Sequence, residues 1–381
     1  MPTLPDRRVE IRSDCFSRRP VSYGHYRVRK GLGQYRKLWI SSSLFLPITY
    51  LGVNEILAKT EGYLEVLMKR FKWLIGIVVF LSVVLIPVVV TQARGGTHSR
   101  TYSNPGLESM HYMDVTFRNE AQNLNLAGML FVPDGAGPFP AVVIIHGSGT
   151  SERHNIWYLA LANYLQENGV LVLLPDKRGS VKSEGNWRTS SYEDLATDTV
   201  AAVEFLKSQN MVKVSQVGII GMSQGGQISP YVLHLSPDVD FLIDVVGTSL
   251  NNYDVLHYEE TNNLRKMGFL PGVSDLIAYP STWVLRNFTQ KEFWDAVGNF
   301  DALPYWEELS VPALVMYGSD DPNVPAEASK ARLEKLDKPN IEVKIYEGSE
   351  HALQDPPGEG DSIFREEALE DIRIFIESTF E

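Results

Sequence analysis

Three stretches of this chain carry residue types that acyl-transfer chemistry needs. The first is GIIGMSQGG, residues 218–226, in which Ser223 has Gly221 and Gly225 two positions to either side. The second is VPALVMYGSDDPNVP, residues 311–325, where an apolar run ends in a turn holding Asp320 and Asp321. The third is IEVKIYEGSEHALQD, residues 341–355, whose run ends in a turn holding His351. A serine hydroxyl is a poor nucleophile until a base takes its proton, and an imidazole base needs a carboxylate to orient it. A sharp strand-to-helix turn that pushes a hydroxyl outward strains the backbone, and side chains two positions away would clash. That is the mechanical use of Gly221 and Gly225. Taken alone, the short motif also reads as a glycine-rich loop after a strand, and either aspartate as a turn residue bonding its own backbone.

The surrounding pattern decides where these residues stand. Strands are expected at about 111–118 and 125–132, separated by EAQNLN. FPAVVIIHGSG is a continuous apolar run ending in glycines, as suits a strand buried on both faces. A helix over about 154–168 leads to the strand GVLVLLPD. SYEDLATDTVAAVEFLKSQ sets Leu195, Ala202, Val203 and Leu206 on one helical face and Asp194 and Asp198 on the other. SQVGIIG is a strand and the residues after Ser223 a helix, followed by the strands DFLIDVVG, VPALVMYG and IEVKIYEG. AEASKARLEKL is a helix between the last two, and REEALEDIRIFIESTF a closing amphipathic helix. Strands alternating with helices at this spacing predict an α/β fold with a mostly parallel sheet and helices on both faces. Ligand sites of such sheets lie at the carboxyl ends of strands. Ser223, the Asp320–Asp321 pair and His351 each follow one. Residues 250–310 break the rhythm with Tyr, Trp, Phe, Leu and Asn, which predicts a helical cap inserted over that edge of the sheet.

With its order of serine, aspartate and histidine, each just after a strand, the sequence resembles an α/β-hydrolase of the esterase/lipase superfamily over residues 111–381. GSDDPNVP matches the G-x-x-D-x-x-V-P turn of such proteins and implies Asp321 as the acid, with Asp320 a neighbour. EGSEH is close to their G-x-x-H pattern and implies His351 as the base. An oxyanion hole needs two backbone N–H groups aimed at the developing charge. One is expected from Gln224, after the nucleophile, and the other from Ser148, with Gly147 next, in the loop after the His146-Gly147 pair. LLPDKRGSVKSEGNW resembles the family's D-x-R-G-x-G-x-S-x-G loop, matching at Asp176, Arg178, Gly179, Ser183 and Gly185. Val181 replaces the middle glycine, which puts the local loop conformation in question. Arg153 is expected to form a surface ion pair with Glu152 or a neighbour, or to meet an anionic substrate group.

The resemblance implies a carboxylesterase-like serine hydrolase acting on a small-molecule ester, without metal or organic cofactor. Thioesterase, peptidase and acyltransferase are variants of the same chemistry, and a non-catalytic membrane-tethered binding protein is the reading from another class. Cap residues Met267, Phe269, Leu270, Tyr279, Trp283, Phe288, Phe293 and Trp294 could form an acyl-binding wall or the cap's own core. Tyr279, Trp283 and Phe288 are the ones assigned to substrate. The seven other histidines have no metal-ligand spacing, and no HExxH or Cys/His cluster occurs.

Charge and hydropathy bound the rest. The net charge is −12, but residues 1–94 carry fifteen Lys/Arg against six Asp/Glu, so the remainder carries −21. An acidic body lacks the clustered cations that phosphates require, which argues against nucleic acid as a partner. The single cysteine, Cys15, leaves the body without a disulfide framework. Lys69, Arg70 and Lys72 precede an uncharged stretch from Trp73 to Ala93, long enough to cross a bilayer as a helix, with a cytoplasmic N-terminal side. Residues 68–93 therefore read as a transmembrane anchor or a signal peptide, and the body as extracytoplasmic. Residues 1–67 are a basic extension, either a cytoplasmic tail or a stretch upstream of a true start at Met68. Residues 94–110 read as a linker. Oligomeric state is left open.

Overall fold

Strand β3 (Phe139–Ile145) is apolar at nearly every position because it has no solvent face: Ala141, Val143 and Ile145 pack into one core and Val142 and Ile144 into another. The structure is a computed structural model and describes residues 60, 62–78, 101–103 and 106–379. The chain divides into two units, Met1–Leu85 and Ile86–Glu381.

In the first unit, residues 62–78 form a helix, α1, whose described side chains are all exposed. It includes residues 73–78 of the expected membrane segment; residues 79–93, like 1–59, lie outside the described residues. No helix among the described residues is long and apolar enough to cross a membrane.

The second unit carries an eight-stranded sheet among the described residues, in the order β1-β2-β4-β3-β5-β6-β7-β8. Strands β1 (Met113–Asn119) and β2 (Leu124–Phe131) form an antiparallel hairpin that joins β4 (Leu171–Pro175) antiparallel. From β4 onward the pairing is parallel through β3, β5 (Val214–Met222), β6 (Phe241–Val245), β7 (Ala313–Gly318) and β8 (Ile341–Tyr346). Helices α2 (Ile156–Glu167) and α10 (Glu366–Ser378) cover one face. Helices α3 (Tyr192–Ser208), α4 (Gln224–Leu235), α8 (Leu303–Glu308) and α9 (Ala326–Glu334) cover the other. On α3 the expected buried face of Leu195, Ala202, Val203 and Leu206 is buried, and a capping box between Ser191 and Asp194 starts the helix. Two apolar residues of the expected linker, Leu107 and Met110, are buried in the α2–α10 core, so the packed body begins before residue 111. Two apolar residues three apart in a stretch of Gly, Ser, Asn and Pro are too few to set a period, and a pattern search passes over them.

Between β6 and β7 the chain is helical: α5 (Asn252–Lys266), α6 (Pro271–Val284), a π-helical turn over Leu285–Thr289, and α7 (Lys291–Val297). Leu264, Phe269 and Ala278 give this insertion a small core of its own. Tyr258 Oη on α5 donates to the Asp321 carbonyl at 2.9 Å, and Asn262 Nδ2 to the Pro322 carbonyl at 2.8 Å. These bonds tie the insertion to the turn after β7.

Candidate active site

Ser223 follows β5 directly and begins α4 with φ 56° and ψ −117°, a backbone conformation that costs a non-glycine residue about 1–3 kcal/mol. The surroundings fix it there. A Cβ on Gly221 would lie 2.4 Å from the Gly225 carbonyl oxygen, and one on Gly225 would lie 2.2 Å from that of Ile145. Both glycines are therefore required by close backbone approach, as the motif predicts. Gly147 is under a milder constraint: a Cβ there would stand 3.2 Å from that of Ser223, a tight contact. The Ser223 side chain makes no capping bond to its own helix, which leaves Oγ free to face the strand ends.

His351 Nε2 lies 2.9 Å from Ser223 Oγ, and its Nδ1 lies 2.8 Å from Asp321 Oδ2. Asp321 is 2% exposed, and its other oxygen accepts the N–H groups of Asn323 and Val324 at 2.8 and 3.0 Å. Those bonds hold the carboxylate in one rotamer and leave Oδ2 aimed at the imidazole. Asp320, by contrast, takes a bond only from the Ser319 hydroxyl and points to solvent. Gly318 lets the two turns meet, because a Cβ there would lie 2.3 Å from the Ser349 carbonyl oxygen. A hydroxyl so placed can pass its proton to an imidazole that a buried carboxylate orients.

Above Ser223 opens a cleft of about 990 Å³ between the strand ends and the insertion. Ser148 and Gln224 line it beside Ser223 and His351. Their N–H groups have no acceptor among the described residues and remain available to an oxyanion. Gly147 does not serve in this way: its N–H donates to the Tyr158 hydroxyl at 2.9 Å, behind the site. Of the three cap residues assigned to substrate, only Phe288 lines the cleft. Tyr279 and Trp283 are 67% and 53% exposed on α6; Tyr279 packs on His257 and Trp283 on Phe288. The apolar wall comes instead from Trp187, Leu285, Phe293 and Trp294, with Phe293 edge-on to Trp187.

Arg153 pairs with neither Glu152 nor an open subsite. It forks onto buried Asp176 through two bonds of 2.8 and 2.7 Å and reaches Asp114 at 2.5 Å. These carboxylates hold its guanidinium firmly charged, and in return the Asp114 carboxyl lies below its usual range. Arg178 forks likewise onto Asp198 at 2.6 and 2.8 Å. Ser183 Oγ donates to the Asp176 carbonyl at 2.6 Å, and Gly179 and Gly185 adopt φ 71° and 95°. Every matched position of that loop thus has a mechanical task. Val181 keeps a positive φ of 49° although it is not glycine.

Sequence reasoning passed over Lys177, which lies between these arginine-locked positions. Its Nζ is buried and donates to the Gly147 carbonyl at 2.7 Å and to Gln224 Oε1 at 2.9 Å. Burial pulls its amine down to about 7. The missed signal was a lysine beside the loop's arginine, where a long cation can only turn inward or into solvent. Glu259 also lines the cleft half-buried, its carboxyl raised by desolvation. Among the described residues no group of three or more His, Cys, Asp or Glu could hold a metal ion.

Comparisons with known proteins agree with this geometry. The chain is 25% identical over 271 residues to Esterase EstD of Thermotoga maritima, covering 67% of this chain and 62% of that protein. It is 23% identical over 282 residues to the mouse (Mus musculus) peroxisomal succinyl-coenzyme A thioesterase, covering 68% and 57%. The chain thus spans about three fifths of these relatives' length. Among solved structures it is similar to the Pyrococcus furiosus esterase Pf2001, with a TM-score of 0.54 at 20% identity, covering 73% of this chain and 98% of that one. That likeness gives the α/β-hydrolase fold. The sequence profile of the Prolyl oligopeptidase family matches residues 157–368, more than half of the chain and the span that holds Ser223, Asp321 and His351. The chain belongs to the prolyl oligopeptidase family, on an α/β-hydrolase scaffold.

Proposed function

We propose that the protein is a serine hydrolase that cleaves carboxylic esters, with Ser223 as nucleophile, His351 as general base and acid, and Asp321 as the orienting carboxylate. The observation that carries this reading is the unbroken hydrogen-bonded line from Ser223 Oγ through His351 to Asp321. Ser223 Oγ attacks the ester carbonyl carbon as its proton passes to His351 Nε2. The carbonyl oxygen becomes an oxyanion facing the N–H groups of Gln224 and Ser148 at the positive end of α4. The intermediate collapses, the C–O bond to the alcohol breaks, and the alcohol leaves with the proton from Nε2. Water, deprotonated by the same imidazole, then attacks the acyl-enzyme and frees the acid and the serine. The relatives named as esterases support an ester substrate, and the aromatic wall of the cleft suits an apolar acyl group.

The family match favours a second reading, in which the acyl donor is a peptide. p-Nitrophenyl esters of rising chain length and aminoacyl p-nitroanilides separate the two. The ester reading predicts kcat/KM at least about 100-fold higher on the best ester, beyond the intrinsic ease of ester cleavage. Turnover of an anilide at a comparable rate makes the protein a peptidase instead. We also propose that residues 73–93 tether the body outside the cytoplasmic membrane. Lys69, Arg70 and Lys72 ahead of the uncharged run from Trp73 to Ala93 support this.

A further inference from the structure

Lys177 is the odd member of its loop. Arg153, which holds the neighbouring Asp176, and Arg178 each fork onto a carboxylate. Lys177 is as buried as they are but has no carboxylate partner among the described residues. A buried cation without a counter-ion is costly, and a core position with no further task favours a neutral residue. Its bonds explain the retention. The Gly147 carbonyl, which takes the 2.7 Å bond, belongs to the same planar peptide unit as the Ser148 N–H. In a trans peptide the two point in opposite directions, so a group that pins the carbonyl also aims the N–H. The second acceptor, at 2.9 Å, is the side chain of Gln224, whose own N–H is the other free donor beside Ser223. Gln224 Nε2 in turn donates to the Tyr192 hydroxyl at 3.3 Å, which fixes its amide orientation and turns Oε1 toward the lysine. The Lys177 ammonium also lies 5.3 Å from the ring centroid of Trp187, a wall of the cleft.

We propose that Lys177 is a positioning residue that clamps both halves of the oxyanion hole, holding the Gly147–Ser148 peptide through its carbonyl and Gln224 through its side chain. This rests on the esterase reading above. The ammonium also places a positive field behind the site where negative charge develops, and its bond to the carbonyl polarises the Ser148 N–H. Burial brings the amine down to about 7, so near neutral pH the group is shared between ammonium and amine, and either form has hydrogens enough to donate to both acceptors.

The test compares the full-length wild type with Lys177→Met and Lys177→Arg on p-nitrophenyl butyrate, and measures inhibition by an aryl trifluoromethyl ketone. That ketone adds Ser223 to form a hemiketal oxyanion. Lys177→Met should lower kcat about 30-fold and weaken the ketone in proportion, with KM changed less than about twofold, because only the charged intermediate uses the clamp. Lys177→Arg, which keeps a cation, should recover part of both losses. A folded Lys177→Met with unchanged kcat overturns the proposal, as does a fall in kcat with unchanged ketone affinity. Should Lys177→Met fail to fold, Lys177→Gln takes its place, and retention of both kcat and ketone affinity there also overturns it. A wild type that cleaves no ester and takes no fluorophosphonate label fails the esterase reading and this inference with it. An active wild type beside a fully active Lys177→Met fails this inference alone.

Discussion

At Ser223 the chain accepts a strained backbone, and the residues packed beneath it are shaped to that strain. Gly226 and Gly247 lie against Asp244: a Cβ on either would fall 1.9 or 2.2 Å from Asp244 Oδ1. Asp244 accepts the Gly247 N–H at 2.7 Å, while its second oxygen is buried without a partner. Burial pushes this carboxyl from 3.8 up to about 8. The folded chain therefore keeps a proton there that the unfolded chain gives up above pH 3.8. Between these values the unfolded state binds fewer protons, so the stability contributed by this group falls as pH rises through that window. Asp244→Asn keeps the acceptor for Gly247 and has no proton to lose. Relative to wild type it should gain about 2–4 kcal/mol between pH 5 and pH 8, read as a melting-temperature difference that grows with pH. An equal difference at both pH values would contradict the assignment. Much at this scale was legible in the sequence. Gly221, Ser223 and Gly225 announce a turn whose mechanics need those residue types, and GSDDPNVP with EGSEH led to Asp321 and His351. Asp244 and Lys177 were not legible, because an ionisable residue in or beside an apolar run looks the same whether its head is buried or reaches solvent.

Among the elements, the loop from Asp176 to Gly185 reaches the site through Lys177, which bonds the Gly147 carbonyl and Gln224. Two arginine forks and Ser183 hold its ends. Val181 sits in it at φ 49° with its side chain 58% exposed, so the branched side chain gains no packing to offset the strain. A β-branched residue there costs about 1–2 kcal/mol, against which glycine loses about 0.5–1 kcal/mol through the freedom of its unfolded chain. Val181→Gly should therefore raise the urea midpoint by the equivalent of about 0.5–1 kcal/mol, with the slope unchanged. A lowered midpoint would show that the valine is not strained. Here the sequence raised the right question, since the departure from the family's glycine pattern lies at the residue that carries the unfavourable φ. The helical insertion was less legible. Its aromatic content was plain, but the face each residue presents depends on how α6 sits on α5. Tyr279 and Trp283 fell on the outer side while Phe293 and Trp294 on α7 reached the cleft. Aromatic spacing alone does not separate a wall from an exposed stripe.

At the scale of the molecule, the parallel sheet and its two cores followed from apolar runs alternating with helices. The antiparallel joining of the β1–β2 hairpin to β4 did not, because partner order leaves no mark on a strand's own pattern. The proposed tether has a direct consequence. The full chain should sediment with membranes, resist alkaline carbonate, and enter solution only with detergent, as a helix of about 20 apolar residues requires. Release by carbonate would remove the tether, and the mass of the native product would show whether it begins at Met1 or Met68. The central claim is covalent, and so is its test. The full-length protein is treated with a fluorophosphonate probe, digested, and the modified peptide sequenced by mass spectrometry. The account predicts one adduct, on Ser223, lost in Ser223→Ala and suppressed when a p-nitrophenyl ester substrate is present in excess. A folded wild type that takes no adduct, or carries it on another residue, would contradict it.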